Sequence, residues 1–287
     1  MRFREEWLSA VVRVPYVPTL GAVHPDAIGA ILFDAIASVA GTGQFLPYDK
    51  DARWLAAKDE QVITGEVIHA PGLTVIPALN TRGQGTLKVY HYGHDRPDMG
   101  QVAEWAAKWR ATYGTRSARV IWTQDQAAGA RTRLMLKNYT PSDQQPRELR
   151  ITDLDTCPAA STFPAFAAEM AADGFAFLYE QVQLGTVTGP ILVALDEDGI
   201  VGAVGPLSVM TDAIGQRTVP PQYFAVHPGY RRKGYGRALW RASMTRGEAM
   251  GAAYKVLNAQ VGAAAERFYE SEGLTTLGYV CIHEISG

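Results

Sequence analysis

Residues 224–239 constrain the chain more than any other stretch. An apolar run, Phe224-Ala225-Val226, ends at a His227-Pro228 turn. Four cations follow, Arg231, Arg232, Lys233 and Arg237, interleaved with Gly234 and Gly236, and Ala238-Leu239 then opens a helix. The first turn of a helix has unpaired backbone N–H groups and a partial positive charge. Glycines let an anion approach those amides without a side chain in the way. Basic side chains add charge-assisted bonds to the remaining oxygens. A strand that feeds such a loop and helix is an anion cradle in an α/β fold, suited to a diphosphate. The same residues also fit an ordinary strand-to-helix turn with a solvated basic face, so the surroundings decide.

The chain has 287 residues, 47% hydrophobic and 20% charged, with a formal net charge of −2. That length suits one large domain or two ordinary ones, with apolar material enough for a core without staples. A near-neutral charge spread along the chain excludes the basic field of a general nucleic-acid binder. No apolar run approaches the ~20 residues that cross a bilayer. Met1-Arg2-Phe3-Arg4-Glu5-Glu6-Trp7 lacks the apolar core of a secretory signal. The expectation is a cytoplasmic protein that engages neither membrane nor nucleic acid. Cys157 and Cys281 form no disulfide framework or metal site, and Cys281 reads as a core residue in a strand. His91 and His94, in a Gly/Asp/Pro-rich stretch, read as surface residues, and no metal is expected.

Tyr139-Thr140-Pro141-Ser142-Asp143-Gln144-Gln145-Pro146 is the best boundary, a linker between units over 1–140 and 147–287. Before it, residues 24–39 read as a helix carrying Ile28, Ile31, Leu32, Ala35 and Ile36. Asp98 with Gln101 resembles a capping box. The helix it opens places Val102, Trp105 or Ala106, Trp109 and Tyr113 along one side and stops at Gly114. Trp105 and Trp109 suit core packing better than a ligand platform. Residues 86–92, 118–123 and 132–137 read as strands. After the linker, strands are expected over 148–153, 191–195, 200–210, 221–226, 255–260 and 276–285. Helices are expected over 159–184 (as two), 234–250 and 263–272. Asp196-Glu197-Asp198-Gly199 reads as an acidic hairpin turn. The fold class is mixed α/β, a C-terminal domain preceded by a smaller α/β one.

Arg231-x-x-Gly234-x-Gly236, with Val226-His227-Pro228 and Tyr230 before it, resembles the pyrophosphate-binding motif of the GNAT acetyltransferases. About thirty residues later, Lys255-Val256-Leu257-Asn258-Ala259-Gln260 leads into Ala265-Glu266-Arg267-Phe268-Tyr269-Glu270-Ser271-Glu272-Gly273-Leu274. This is similar to the family's strand and Ala-x-x-x-Tyr-x-x-x-Gly-aromatic helix. The resemblance covers residues 147–287. It implies a twisted mixed sheet whose fourth and fifth strands splay apart, with acetyl-CoA as co-substrate in the gap. The pantetheine arm would lie along the backbone of Phe224, Ala225 and Val226. The pyrophosphate would sit on Arg231, Arg232, Lys233, Gly234, Tyr235, Gly236 and Arg237. A backbone N–H near Val226 would bind the developing oxyanion. Tyr269 matches the family's tyrosine that faces the CoA sulfur, a phenol that holds its proton at neutral pH and gives it to the departing thiolate. Phe268 reads as the core face of the same helix.

The chain departs from the family at three places. Gly262 stands where an asparagine is common, and Asn258, on the strand, does not stand in for it. Gln222 occupies the place of a glutamate that accepts the amine's proton through water, and a carboxamide is no base. Leu274 replaces an aromatic. Glu180, Asp212, His227 and the N-terminal unit remain as sources of a base, which is unassigned.

The reaction so implied is direct acetyl transfer to a primary amine of a small molecule, since neither cysteine lies in an acyl-accepting motif. Glu169, Asp173, Glu180 and Asp212, in the acceptor region, suit a cationic amine such as an aminoglycoside-like antibiotic or a polyamine, or are simply solvated. The Ala-, Gly- and Arg-rich usage resembles a high-GC bacterial protein, which adds the expectation of antibiotic resistance. Residues 98–137 echo the second half of the same fold without a glycine-rich cradle, so no second CoA is placed there. The N-terminal unit is expected to roof the acceptor site or to form a subunit interface in a homodimer. The alternatives are a peptide or protein N-acetyltransferase, another acyl group or a thiol acceptor, and a non-catalytic CoA-binding sensor or scaffold.

Overall fold

The computed structural model describes residues 60–70, 73–80, 85–93, 96–139, 149–197, 199–211 and 215–285. The helix expected over 24–39, residues 140–146 of the expected linker, His94 and Asp212 lie outside them. The first half contains β1 (Glu60–Val62), β2 (Ile68–Ala70), β3 (Leu73–Asn80), β4 (Thr86–Gly93), α1 (Met99–Tyr113), β5 (Ser117–Gln124) and β6 (Thr132–Asn138). The second contains β7 (Arg150–Asp153), α2 (Phe163–Glu169), α3 (Phe175–Gln183), β8 (Leu192–Asp196), β9 (Gly199–Gly205), β10 (Met210–Thr211) and β11 (Arg217–Thr218). It continues with β12 (Tyr223–Val226), α4 (Tyr235–Ala249), β13 (Tyr254–Gln260), α5 (Ala264–Ser271) and β14 (Thr275–Ile285).

Local signals place most of these. Asp98 caps α1 by accepting the N–H groups of Gly100 and Gln101 at 2.9 and 3.3 Å, and Gly114 ends it in the left-handed region. Val102, Ala106 and Trp109 pack on Val75, Leu87, Val89 and Val120, with Trp105 stacked on Trp109 at 6.3 Å. Trp109 also donates to Glu66 Oε2 at 2.8 Å, so the tryptophan pair is core. His91, expected at the surface, is buried on β4. The strand expected over 200–210 ends at Gly205, because Pro206 has no N–H to continue the ladder. Cys281 is buried on β14, as expected of a core residue.

β7, β8, β9 and β12 form an antiparallel sheet in the order β12-β9-β8-β7. Alternation in β8 sorts its two faces. Val193 joins Phe166, Phe175, Leu178 and Tyr223 under α2 and α3, whereas Leu192 and Ala194 join Val204, Tyr235 and Leu239 under α4.

The second sheet crosses between the halves, in the order β1-β3-β4-β5-β14-β6-β13-β11-β10. β14, from the end of the described chain, lies antiparallel between β5 and β6. β6, from before the expected linker, lies antiparallel between β14 and β13, from Tyr254 opposite Asn138 to Gln260 opposite Thr132. Each half thus supplies a strand to the middle of the other's sheet. β4 and β5 pair in parallel from Thr86–Ser117 to His91–Trp122. Their counterparts β12 and β13 belong to different sheets, which leaves a cleft between them.

Met135, fully buried on β6, packs with Trp240, Leu257 and Leu274 of the second half. Met135→Ala is expected to cost about 2–5 kcal/mol. Urea unfolding followed by tryptophan fluorescence and by circular dichroism should give one coincident transition. Two separated transitions would show that the shared sheet does not couple the halves.

Candidate functional site

The cleft is bounded by β12 on one side and β13 on the other, with α4 and α5 packed beside it. The N–H of His227 bonds to the carbonyl of Val201 on β9. In an antiparallel strand neighbouring residues turn their backbone groups to opposite edges. Phe224 and Val226 therefore direct theirs into the cleft. The carbonyl of Val226 accepts from Arg231 Nε at 3.1 Å, which leaves the Val226 N–H and both groups of Phe224 facing the opening.

At the end of β12 the chain turns through a short helix over Pro228–Tyr230. His227 closes that turn, its Nδ1 accepting from the Gly229 N–H at 3.2 Å. The other ring nitrogen, Nε2, therefore carries the proton and donates to Glu169 Oε2 at 2.8 Å. Both nitrogens are engaged, so in this arrangement His227 is a fastening of the turn and not a free base.

α4 starts at Gly234, whose φ of 92° lies in the left-handed region and which makes no side-chain cap bond. The first N–H groups of α4 thus meet no capping side chain of their own. Arg232 also has a positive φ, 63°, in the turn that aims the loop. A Cβ on Gly236 would meet Val226 Cγ2 at 3.7 Å, so this glycine lies against β12 where the cleft opens. These features fit a diphosphate on the helix N-terminus.

The four cations expected to line this cradle have different partners. Arg231 bonds back to Val226, and Lys233 Nζ lies over the Tyr230 ring at 4.6 Å. Arg237 pairs with Glu272 Oε1 at 2.8 Å and donates to Ser271 Oγ at 3.3 Å. Arg241, one turn further on α4, pairs with Glu272 Oε2 at 3.1 Å. Glu272, with only 6% of its side chain exposed, ties α4 to the end of α5. Arg232 is exposed. Sequence reasoning missed Arg241 and Glu272, although Arg237 and Arg241 are four apart and so share a helix face.

A cavity of about 340 Å³ occupies the deep part of the cleft, lined by Val204, Pro221, Gln222, Phe224, Trp240, Lys255, Leu257, Asn258 and Tyr269. Tyr269 reaches it from α5, its ring 5.1 Å from that of Trp240 and 5.3 Å from that of Phe268. Burial pushes its phenol up to about 12. The group is a proton donor that does not ionise at neutral pH.

Gln222 and Lys255 form a unit at the cavity wall. Lys255, 2% exposed, donates from Nζ to Pro220 O at 3.1 Å and to Gln222 Oε1 at 2.9 Å. An ammonium only donates, so it fixes which end of the carboxamide faces it. Gln222 Nε2 is buried and has no hydrogen-bond partner among the described residues. Sequence reasoning did not single out Lys255. Of the acidic residues expected to attract a cationic amine, Glu169 is held by His227, and Asp173 and Glu180 are exposed. Among the described residues none of the three lines the cavity. Among them, too, no cluster of His, Cys, Asp and Glu could hold a metal ion, and no helix is long and apolar enough to cross a membrane.

Residues 188–274 match the family model of the acetyltransferase (GNAT) domain. No curated protein is similar enough in sequence to match the chain. Among solved structures, the chain is similar to a GCN5-related N-acetyltransferase from Sphaerobacter thermophilus, with 16% identity and a TM-score of 0.51 over 92% of this chain and 88% of that one. A GNAT-family acetyltransferase from Colwellia psychrerythraea aligns with 10% identity and a TM-score of 0.49 over 92% of this chain and 98% of that one. A tandem GNAT protein from the clavulanic acid biosynthesis pathway aligns with 13% identity and a TM-score of 0.45 over 93% and 98%. The matched segment carries β8 through α5, the glycine-rich turn and Tyr269, and residues 188–274 of this chain form an acetyltransferase (GNAT) domain.

Proposed function

We propose that this protein transfers an acetyl group from acetyl-CoA directly to a primary amine of a small molecule, with an aminoglycoside-like antibiotic among the acceptors. The observation that carries the reading is Tyr269, a half-buried tyrosine in the wall of a cavity that is also lined by Phe224 of β12 and Trp240 of α4. The donor's diphosphate fits the N-terminus of α4, and its pantetheine amides fit the free backbone edge of Phe224 and Val226. In the reaction the amine nitrogen forms a bond to the acyl carbon and the carbon–sulfur bond breaks. Tyr269 supplies the proton that the leaving sulfur takes up, and the proton lost by the amine nitrogen passes to water, from which the phenolate is reprotonated. A backbone N–H near Val226 that is not taken up by the pantetheine arm supports charge on the carbonyl oxygen.

One observation favours a second reading, a CoA-binding module without catalysis. The position of the family's base is a carboxamide tethered to Lys255. Thiol release from acetyl-CoA, scanned over aminoglycosides, polyamines, amino acids and lysine peptides, decides between the readings. Release with one class identifies the acceptor. Tight acetyl-CoA binding without release in any class would leave the second reading.

Three further outcomes are expected. Tyr269→Phe should lower kcat about 10²-fold while leaving KM for acetyl-CoA within about twofold. Because burial holds the phenol protonated up to about 12, raising the pH does not remove this acid in the ordinary assay range. The kcat profile should therefore lack an alkaline fall from about pH 8 to about pH 10; such a fall, absent in Tyr269→Phe, would contradict the assignment. Gly234→Ala places a Cβ in a left-handed conformation, with ordinary contact to Leu149 at 3.5 Å. It should cost about 1–2 kcal/mol in thermal stability from backbone strain alone and raise KM for acetyl-CoA.

A further inference from the structure

The helix that carries Tyr269 has little to hold it in place by itself. α5 spans 8 residues, has no fully buried residue, and its N-cap, Ala263, makes no side-chain bond. A helix this short is marginal alone, and its position has to come from what it rests on. It lies against β13 and, through side chains, against β6, the strand that the N-terminal half lends to this sheet.

Three alternate residues of β6 meet it. Met135 lies in the cluster against which Phe268 and Tyr269 pack. Lys137 Nζ donates to the carbonyl of Glu272, the residue that follows the last turn of α5, at 2.8 Å. Arg133 holds the other end. Its Nη1 pairs with Glu266 Oε1 at 3.2 Å and with Glu270, and its Nε donates to Thr276 Oγ1 at 2.8 Å. The guanidinium lies 5.7 Å from the centre of the Tyr279 ring and is 14% exposed. Glu266 in turn accepts the Gly262 N–H at 2.7 Å, which closes the turn that enters α5. Glu266 and Glu270 are four apart, one above the other on the helix, and Tyr269 lies between them in sequence.

We propose that Arg133, a residue of the N-terminal half, is a positioning residue for the transfer reaction, holding α5 through Glu266 and Glu270 so that the Tyr269 hydroxyl stays over the cavity. The inference rests on the reading of Tyr269 as the acid. It gives the N-terminal half a part in the active site. A planar guanidinium engages two carboxylates and a hydroxyl at fixed angles, which a point charge does not reproduce. Displacing a catalytic group by a fraction of its reach is costly in turnover without greatly affecting binding of the donor.

A double-mutant cycle on the full chain tests this, read as steady-state thiol release with the acceptor found in the panel. Arg133→Ala should lower kcat about tenfold and leave KM for acetyl-CoA within about twofold. Arg133→Lys should recover part of the loss. In the Tyr269→Phe background, Arg133→Ala should lower kcat by less than about twofold, because the group it positions is gone. If the two losses multiply, Arg133 acts independently of Tyr269, and the positioning role is overturned while the acid stands. If Tyr269→Phe alone leaves kcat unchanged, the acid reading falls and the proposal with it. Circular dichroism and thermal melting establish that each variant is folded. Should Arg133→Ala not fold, Glu270→Gln, which loosens the same anchor and keeps the Glu266 pair, enters the cycle with the same expectations.

Discussion

Strand β6 is hydrogen-bonded along both edges, to β13 on one side and to β14 on the other. Those neighbours belong to the C-terminal half and are separated in sequence by α5 alone. Without β6 between them, the strand before the Tyr269 helix and the strand after it would have no common support. β14 in turn fills the place between β5 and β6, so the first half depends on the last strand as much as the second half depends on β6. An unpaired strand edge in the middle of a sheet exposes a row of donors and acceptors. Reciprocal exchange removes two such edges at once, and it makes the sheet a single ladder through which the halves are coupled.

The cleft follows from the same arrangement. β13 is held along its length by β6 and β12 by β9, and on its other edge β13 meets β11 only at Tyr254 opposite Thr218, so beyond that residue the facing edges of β12 and β13 stay open. The backbone of Phe224 and Val226 is left with an open edge, the condition for an extended ligand to add as a strand. In the first half the corresponding pair, β4 and β5, is joined over six consecutive residue pairs. That pairing occupies the edge a ligand would need. The asymmetry between the halves is one of pairing: the same order of strand, helix and strand gives a cleft in one and a closed ladder in the other.

What the sequence made legible was local. The cradle is contiguous, and its glycines, cations and helix start announce their geometry within a few residues of one another. Asp98 and Gly114 likewise mark the ends of α1 through bonds that reach only a few positions. The exchange of β6 and β14 left no such mark, because Leu134 meets Gly278 and Arg133 meets Tyr279 only after the intervening chain has folded. A boundary drawn at the prolines after Tyr139 therefore separated β6 from the strands it joins. Two signals were present and undervalued. Gly205-Pro206 lies inside the run taken as one strand, and proline interrupts a ladder. Glu266 and Glu270 stack two like charges on one face of a short helix, an arrangement that calls for a cation from elsewhere in the fold. His91 was misplaced because its glycine- and proline-rich neighbours suggest a loop, whereas β3 and β5 on either side cover it.

The position of Gln222 bears on how the amine loses its proton under the proposed reaction. A glutamate there would put a carboxylate beside Lys255 Nζ, which now lies 2.9 Å from the carboxamide oxygen. An ammonium at that distance favours the ionised carboxylate and weakens it as a base. Gln222 is therefore more than the loss of a family residue, since the strand opposite has filled the space with a cation that is itself almost completely buried. With His227 engaged at both nitrogens and Glu169 bound to it, the turn after β12 offers no free base either. Among the described residues that line the cavity none is a carboxylate or an imidazole, so under the proposed reaction the amine's proton passes through water. An amine with a low intrinsic pKa reaches the cavity already neutral, whereas a strongly basic one must shed its proton on entry, next to Lys255.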